Sequence, residues 1–438
     1  MTKKIGIVTA SAVVVANMIG TGVFTSVGYQ LSELQNTWTI MLLWVSGGLL
    51  SLFGAFAYSE LGTHFPASGG DYVYLSRVFH PLAGYLSGWT GLTVGFSAPV
   101  ALAAMAFTRY LSPFGLGDTP ALAIAVILLI TIMHSISIKQ SSRFHNSTTL
   151  IKVLFLIVLI IVGLLLPQRS ADALLFDGSW KKEVVSTGFA VSMIYVSYAY
   201  TGWNAAAYIT GEIEQPRKNL PRSLIMSTLF VSLLYVLFQF VLLKHAGVSE
   251  LQGREDVAYI SFSNLLGGKA AQWISLFIAF QLLATISSYQ WVGPRVTWAM
   301  ATEHRLWKRL AWKNVNGIPV AALWTQAAIS ILLTLTGSFE QVLLYCGFVL
   351  QFMANLTVTT SLFLKPGSGR EFRSPLRPWL QIIFLLFNTA VLIFTYVQRP
   401  KESLLGLGLL GIGVLIYLFD RPAHIKPREE TNVSGIEN

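Results

Sequence analysis

The chain has 438 residues, 54% of them apolar and only 11% charged, where an ordinary soluble domain carries about 25% charged residues. So few charges cannot cover a water-facing surface, which argues for a surface that faces lipid and against a set of soluble domains. The net charge of +10 does not point to nucleic acid, because the basic residues sit in short loops between apolar stretches, as in membrane proteins that follow the positive-inside rule.

Apolar stretches of about 20 residues recur along the chain and read as twelve membrane spans, at 5–31, 37–62, 81–111, 119–138, 147–167, 184–212, 222–243, 270–301, 319–336, 339–363, 377–397 and 403–419. They are continuously apolar, so helices fit them and barrel strands do not. The fold class expected is all-α. The N-terminal stretch lacks a small-residue cleavage site after a short apolar core and is read as a span rather than a signal peptide. The single cysteine, Cys346, allows no disulfide within the chain, and no Cys/His set for a metal occurs.

Twelve spans place both termini on one side. That side carries the clusters Arg217/Lys218/Arg222, Arg305/Lys308/Arg309/Lys313 and Lys365/Arg370/Arg373/Arg377, and its basic residues outnumber those of the other side by about two to one, so cytoplasmic termini are expected. The acids Asp118, Asp172, Asp177, Glu183, Glu250, Glu255 and Asp256 fall opposite and count for little. The polar tail 421–438 is read as a disordered cytoplasmic extension.

Two spans are unusual. Span one reads Ala16-Asn17-Met18-Ile19-Gly20-Thr21-Gly22-Val23-Phe24, and span six Tyr195-Val196-Ser197-Tyr198-Ala199-Tyr200-Thr201-Gly202-Trp203-Asn204. Each places glycine and polar residues at its middle, where a simple anchor would carry Leu, Ile or Val. They open two successive sets of five spans, and interrupted helices at matching places in two halves point to a binding site at the membrane midplane. A broken helix offers bare N–H groups that attract a carboxylate and bare C=O groups that attract an ammonium. One zwitterionic α-amino acid satisfies both. The competing reading is small-residue helix packing. Asn17 and Asn204 flank the breaks, where capping a backbone group and a packing hydrogen bond are equally open.

These residues resemble the amino acid–polyamine–organocation (APC) transporters. Gly20-Thr21-Gly22-Val23-Phe24 is similar to that superfamily's first-span motif, and Pro66-Ala67-Ser68-Gly69-Gly70-Asp71-Tyr72-Val73-Tyr74 to its loop after span two. Residues Gly211 to Arg222 resemble its acidic-then-basic loop after span six, and Gly293-Pro294-Arg295 its span-eight end. Within the superfamily the chain is most similar to bacterial relatives of the L-type amino acid transporters.

The resemblance implies a five-plus-five inverted-repeat fold, with repeat one at about 5–167, repeat two at about 184–363 and two further helices at about 377–419. It also implies discontinuous helices one and six, and alternating access. Residue by residue, it implies that Thr21, Gly22 and Val23 offer N–H groups to a carboxylate, while Ile19, Tyr198, Ala199 and Thr201 offer C=O groups to an ammonium. Tyr198 stands where the family places an aromatic gate.

Lys152 is the one basic residue within the body of a span, and from its position alone a functional role and snorkelling to the interface are equally open. The resemblance implies that it replaces a coupling sodium ion, with Ala16, Ser287 and Ser288 as neighbours. Sodium-independent transport by exchange or proton coupling is then expected.

Spans three, eight and ten offer Gly95, Phe96, Ser97, Tyr289, Cys346 and Gly347 but no acid at the depth of the breaks, which predicts a neutral L-amino acid as substrate. A cationic amino acid or polyamine transporter is the alternative, and a non-transporting sensor of the same fold a second. A channel would need a continuous polar lining, and an enzyme a clustered catalytic set, and neither is present in the sequence. Neither cofactor nor metal is expected. The loop 112–120 has no cysteine through which to link a partner chain. The location expected is the bacterial plasma membrane.

Overall fold

Glycine at mid-span divides the first membrane helix in two. In the computed structural model, which describes residues 4–116, 119–136, 142–168, 174–364 and 371–420, α1 (Ile7–Met18) and α2 (Gly22–Gln30) are separated by non-helical chain. They are followed by α3 (Thr37–His64) and a short α4 (Asp71–Val78). Next come α5 (Pro81–Thr90), a π turn at Gly91–Gly95, α6 (Ser97–Leu111), α7 (Pro120–Ile136) and α8 (Ser142–Leu165). After a small α9 (Trp180–Glu183), span six is α10 (Thr187–Tyr200), continued as a 3-10 segment, Ala205–Glu212. The remainder is α11 (Pro216–His245), α12 (Val248–Leu251), α13 (Val257–Leu266), α14 (Gly268–Glu303), α15 (Val320–Thr336), α16 (Phe339–Leu362), α17 (Trp379–Gln398) and α18 (Pro400–Phe419).

Local sequence sets these boundaries. Asn36 caps α3 by accepting from the Trp38 N–H at 2.9 Å. Ser338 and Gln341 form a reciprocal capping box at the start of α16. Pro81 and Pro400 occupy first turns, where no N–H is needed. Apolar side chains such as Leu129, Met133, Leu154, Leu229, Leu332 and Leu415 are exposed along the helices, as a lipid-facing surface requires.

Eight segments are long and apolar enough to cross a membrane by length and composition, counting α1–α2 and α5–α6 as one each. The shorter α7, α15 and apolar part of α8, together with the broken span six, complete the twelve. Helices α4, α9, α12 and α13 lie in connections between the predicted spans.

The packing repeats with a shift of five spans. Span one (α1) packs on span seven (α11) and span five (α8), and span six (α10) packs on span two (α3) and span ten (α16). The contact of spans three and four (α6, α7) has its mate in spans eight and nine (α14, α15). Likewise α11 on α8 is matched by α3 on α16. This is the arrangement of a five-plus-five fold. A parallel bridge ties its N-terminal end to the end of span six, with Ile5 N–H donating to Glu212 O at 2.8 Å and Glu214 N–H to Ile5 O at 2.9 Å. The tail 421–438, Lys3, Asp118, Lys139, Asp172, Lys365 and Arg370 lie outside the described residues.

Candidate functional site

The two breaks meet. Helix α1 ends as Ile19 leaves helical geometry at ψ 86°, and α10 ends as Thr201 turns to ψ 140°. Gly202 then adopts φ +105°, a region that L side chains rarely enter. A β-carbon at Gly202 would lie 2.6 Å from the Asn17 carbonyl carbon, and one at Gly22 2.4 Å from the Ala199 Cα. These two glycines therefore let the broken helices touch each other. The packing reading of the small residues holds at these positions, while Gly20, with nothing nearer than 3.8 Å to its added β-carbon, has room.

Most carbonyls freed by the first break are taken by side chains. Tyr235 OH donates to Met18 O at 2.5 Å and Tyr289 OH to Asn17 O at 3.4 Å. Lys152 Nζ donates to Ile19 O at 3.4 Å and to Thr285 Oγ1 at 3.0 Å. The N–H groups of Thr21, Gly22 and Val23 have no backbone acceptor among the described residues. In span six, Tyr198 O accepts the Thr201 N–H at 2.9 Å, while no described donor reaches the carbonyls of Ala199 or Thr201. The pair of breaks thus leaves N–H groups without backbone acceptors on span one, and carbonyls without donors on span six, among the described residues.

A cavity of about 2870 Å³ runs from this junction to the end of the bundle where Ile5, Glu212 and Glu303 lie. Near the breaks it is walled by Asn17, Ser197, Tyr198, Thr201, Gly202, Phe96, Tyr289 and Gly347. Phe96 is placed there by the π turn, whose Phe96 N–H donates to Gly91 O at 2.9 Å and adds a residue to the turn. The opposite end is sealed. Tyr29 stacks on Tyr195 and Phe339 at 5.8 and 5.9 Å, Tyr195 OH donates to Glu340 at 2.6 Å, and Arg399 bridges Glu33 at 2.8 Å and Glu340 at 3.6 Å.

Of the seven residues expected to hold substrate, Tyr198 and Thr201 form part of the cavity wall. Ile19, Thr21, Gly22, Val23 and Ala199 are buried behind it, with Gly20 half-exposed between them. Lys152 is buried and its ammonium turns inward to the break, not outward to the interface. Its partners differ from those expected. No described bond joins it to the Ala16 carbonyl, and Ser287 instead pairs with His134 Nε2 at 2.8 Å. Two residues turn a helix by about 200°, so Thr285 faces Lys152 where Ser287 faces span four, while Ser288 lies about 4.5 Å further along the axis. Ile19, one turn beyond Ala16, presents its carbonyl because its non-helical ψ swings it sideways.

Three carboxylates stand in the cavity wall: Glu212, expected as a structural acid at the end of span six, and Asp71 and Glu303, which the residues of the spans do not announce. Asp71 arrives on α4, which folds back between spans two and three. The described residues contain no group of three or more His, Cys, Asp or Glu that could hold a metal ion.

The sequence model of the family described as "Amino acid permease" matches residues 5–417. The chain is 29% identical to the large neutral amino acids transporter small subunit 2 of Oryctolagus cuniculus, over 98% of its own length and 82% of that protein's. It is 26% identical to the b(0,+)-type amino acid transporter 1 of Homo sapiens, covering 96% of this chain and 88% of the relative. The Asc-type amino acid transporter 1 of Mus musculus is 27% identical over 98% and 83%.

Proposed function

The chain belongs to the amino acid permease family, and from that premise and the geometry of the breaks we propose that it carries neutral L-amino acids across the membrane by alternating access. The observation that carries this reading is that, among the described residues, the N–H groups of Thr21, Gly22 and Val23 and the carbonyls of Ala199 and Thr201 are unpaired where the two broken spans meet. A carboxylate suits the first set and an ammonium the second. The carbonyls of Tyr198 and Ile19 have second lone pairs to add, and Tyr198, in the wall, is the gate over the bound molecule. At this depth the wall has no charged side chain among the described residues, which favours a neutral substrate.

The inverted repeats span about 5–167 and 184–363, the termini are cytoplasmic, and the cavity is therefore open to the cytoplasm. The location is the bacterial plasma membrane, and no partner chain is covalently linked. Lys152 sits where a coupling ion would bridge spans one and eight, so transport is sodium-independent. Exchange and proton coupling both accommodate its ammonium.

One observation favours a second reading. Asp71, Glu212 and Glu303 line the route from the cavity mouth, and such carboxylates would attract a cationic amino acid. Uptake of labelled alanine, leucine and arginine into proteoliposomes, with and without sodium and with internal amino acid, separates the two. Neutral uptake that is stimulated by internal substrate and indifferent to sodium is expected. Saturable uptake of arginine alone would replace the first reading with the second.

A further inference from the structure

Asp71 is buried, lies in the cavity wall and has no counter-charge among the described residues. Its Oδ2 accepts from Tyr208 OH at 2.8 Å. Tyr58 on α3 and Thr357 on α16 turn their hydroxyls toward the carboxyl and act on it as weak donors, yet among the described residues neither hydroxyl nor Asp71 Oδ1 reaches normal hydrogen-bond geometry. Tyr58 and Thr357 are fully buried, so these are orphaned polar atoms grouped around one carboxylate.

A bare carboxylate is costly in such a place, and an orphaned acceptor adds to the cost. Asp71 opens helix α4, whose dipole favours the anion, but that effect is worth only about 0.3–1 kcal/mol. Burial pushes the Asp71 carboxyl above the usual carboxylate range, and the hydroxyls of Tyr58, Tyr208 and Thr357 pull it only part of the way back. The titratable groups that face it are the phenols of Tyr58, Tyr208 and, on its own helix, Tyr74. Nearby charges are engaged elsewhere. Glu60 pairs with Arg377, Glu303 accepts from Tyr72, Arg77 lies over Phe65, and Glu212 faces Arg295.

We propose that Asp71 is a proton-binding site of the transporter, and that its proton stabilises the conformation open on the N-terminal face. The proton adds to Oδ1, and the new O–H donates to the orphaned oxygen of Thr357 or Tyr58. It arrives through the cavity, which Asp71, Tyr58 and Tyr208 all line. No bond other than O–H forms or breaks.

The site is tied to the moving part. Gly69 N–H donates to Tyr208 O at 3.0 Å, and Gly211 N–H to Ser68 Oγ at 3.1 Å, so the loop carrying Asp71 is docked on the inner half of span six. A shift of that half relative to α3 and α16 breaks these two bonds, strips Tyr208 from Asp71 and admits water, which restores an ordinary carboxylate. The proton then binds more tightly in the present conformation than in the other. Low pH populates this state, and the preference is lost as pH rises through the pKa that Asp71 has here.

The inference rests on the alternating-access reading for the existence of a second state, but its test needs neither substrate nor flux. Cys346 is replaced by alanine, Thr302 in the cavity wall is replaced by cysteine, and maleimide labelling in nanodiscs is followed from about pH 5.5 to 8. Each rate is divided by that of the same reporter with Asp71→Asn, which cancels the titration of the thiol. The ratio is expected to fall by about threefold or more as pH rises. With Asp71→Glu the midpoint is expected to move.

A flat ratio overturns the proposal, even where uptake in proteoliposomes is intact. So does labelling at fixed pH that responds to sodium in the parent and not in Asp71→Asn, which would make the ligand a metal ion. If Asp71→Asn does not fold, raw profiles of the parent and Asp71→Glu are compared, and an unmoved midpoint overturns it.

Discussion

Gly22 lies against Ala199 so closely that a β-carbon on the glycine would come within 2.4 Å of the alanine Cα. Gly202 meets Asn17 in the reverse sense, at 2.6 Å, so each broken span supplies the glycine that admits the other's backbone. Gly22→Ala and Gly202→Ala are expected to destabilise the protein by about 1–3 kcal/mol each through overpacking, with Gly202→Ala further penalised by its positive φ. Gly20→Ala should be close to neutral. Thermal unfolding of the detergent-purified variants measures this, and a Gly20→Ala variant as unstable as Gly22→Ala would contradict the assignment of roles.

Lys152 holds the Ile19 carbonyl and the Thr285 hydroxyl from within the bundle. Removing a charged hydrogen-bond donor from two buried acceptors is worth about 1.5–3 kcal/mol, so Lys152→Ala should lower uptake by roughly 10- to 100-fold. Thr285→Val, which leaves the ammonium in place, should lose less. Initial uptake rates in liposomes at equal protein check both, and unchanged kinetics for Lys152→Ala would reduce the lysine to a packing residue.

Arg399 is the clasp of the sealed face, joining Glu33 after span one to Glu340 at the start of α16. Both pairs are partly exposed, so each contributes about 1 kcal/mol at most. Arg399→Gln should raise the accessibility of a cysteine probe beneath Tyr29 by about fivefold per kcal/mol lost, with a smaller effect at high salt. Equal accessibility at low salt would show that the aromatic stack of Tyr29, Tyr195 and Phe339 seals this face alone.

His304, after α14, pairs through Nδ1 with Asp420 Oδ2 at 2.8 Å, and Leu306 N–H donates to Oδ1 at 3.1 Å. Both side chains are buried, and the pair fastens the last span to the bundle. Asp420→Ala should cost about 1.5–3 kcal/mol of stability, with substrate specificity unchanged. A melting curve and an uptake panel on the same variant test the two halves of that statement.

The breaks were legible in the sequence because glycine and polar residues at mid-span contradict what a simple anchor needs, and because they recur at matching places. What those glycines touch was not legible, since it depends on how spans one and six cross. Lys152 stood out as the one cation within a span, but its partners were misplaced by about a turn. The spacing 285, 287, 288 covers most of a helix circumference, and only packing selects the face. Tyr208 and Thr357 are far in the chain from Tyr58 and Asp71, and the four meet only because α4 folds back, so no local pattern announces the group. The π turn at Gly91–Gly95 was hidden for a related reason: it changes a hydrogen-bond register inside a span that reads as continuous.

In the proposed function, two unwound segments hold opposite ends of one zwitterion. Thermal stabilisation of the purified protein by a neutral L-amino acid, by the amine lacking its carboxylate and by the acid lacking its ammonium tests this most directly. Only the intact amino acid should raise the melting temperature, and the gain should vanish for the same three compounds with Gly202→Ala. Equal stabilisation by either truncated compound, or none by any neutral amino acid at millimolar concentration, would contradict it.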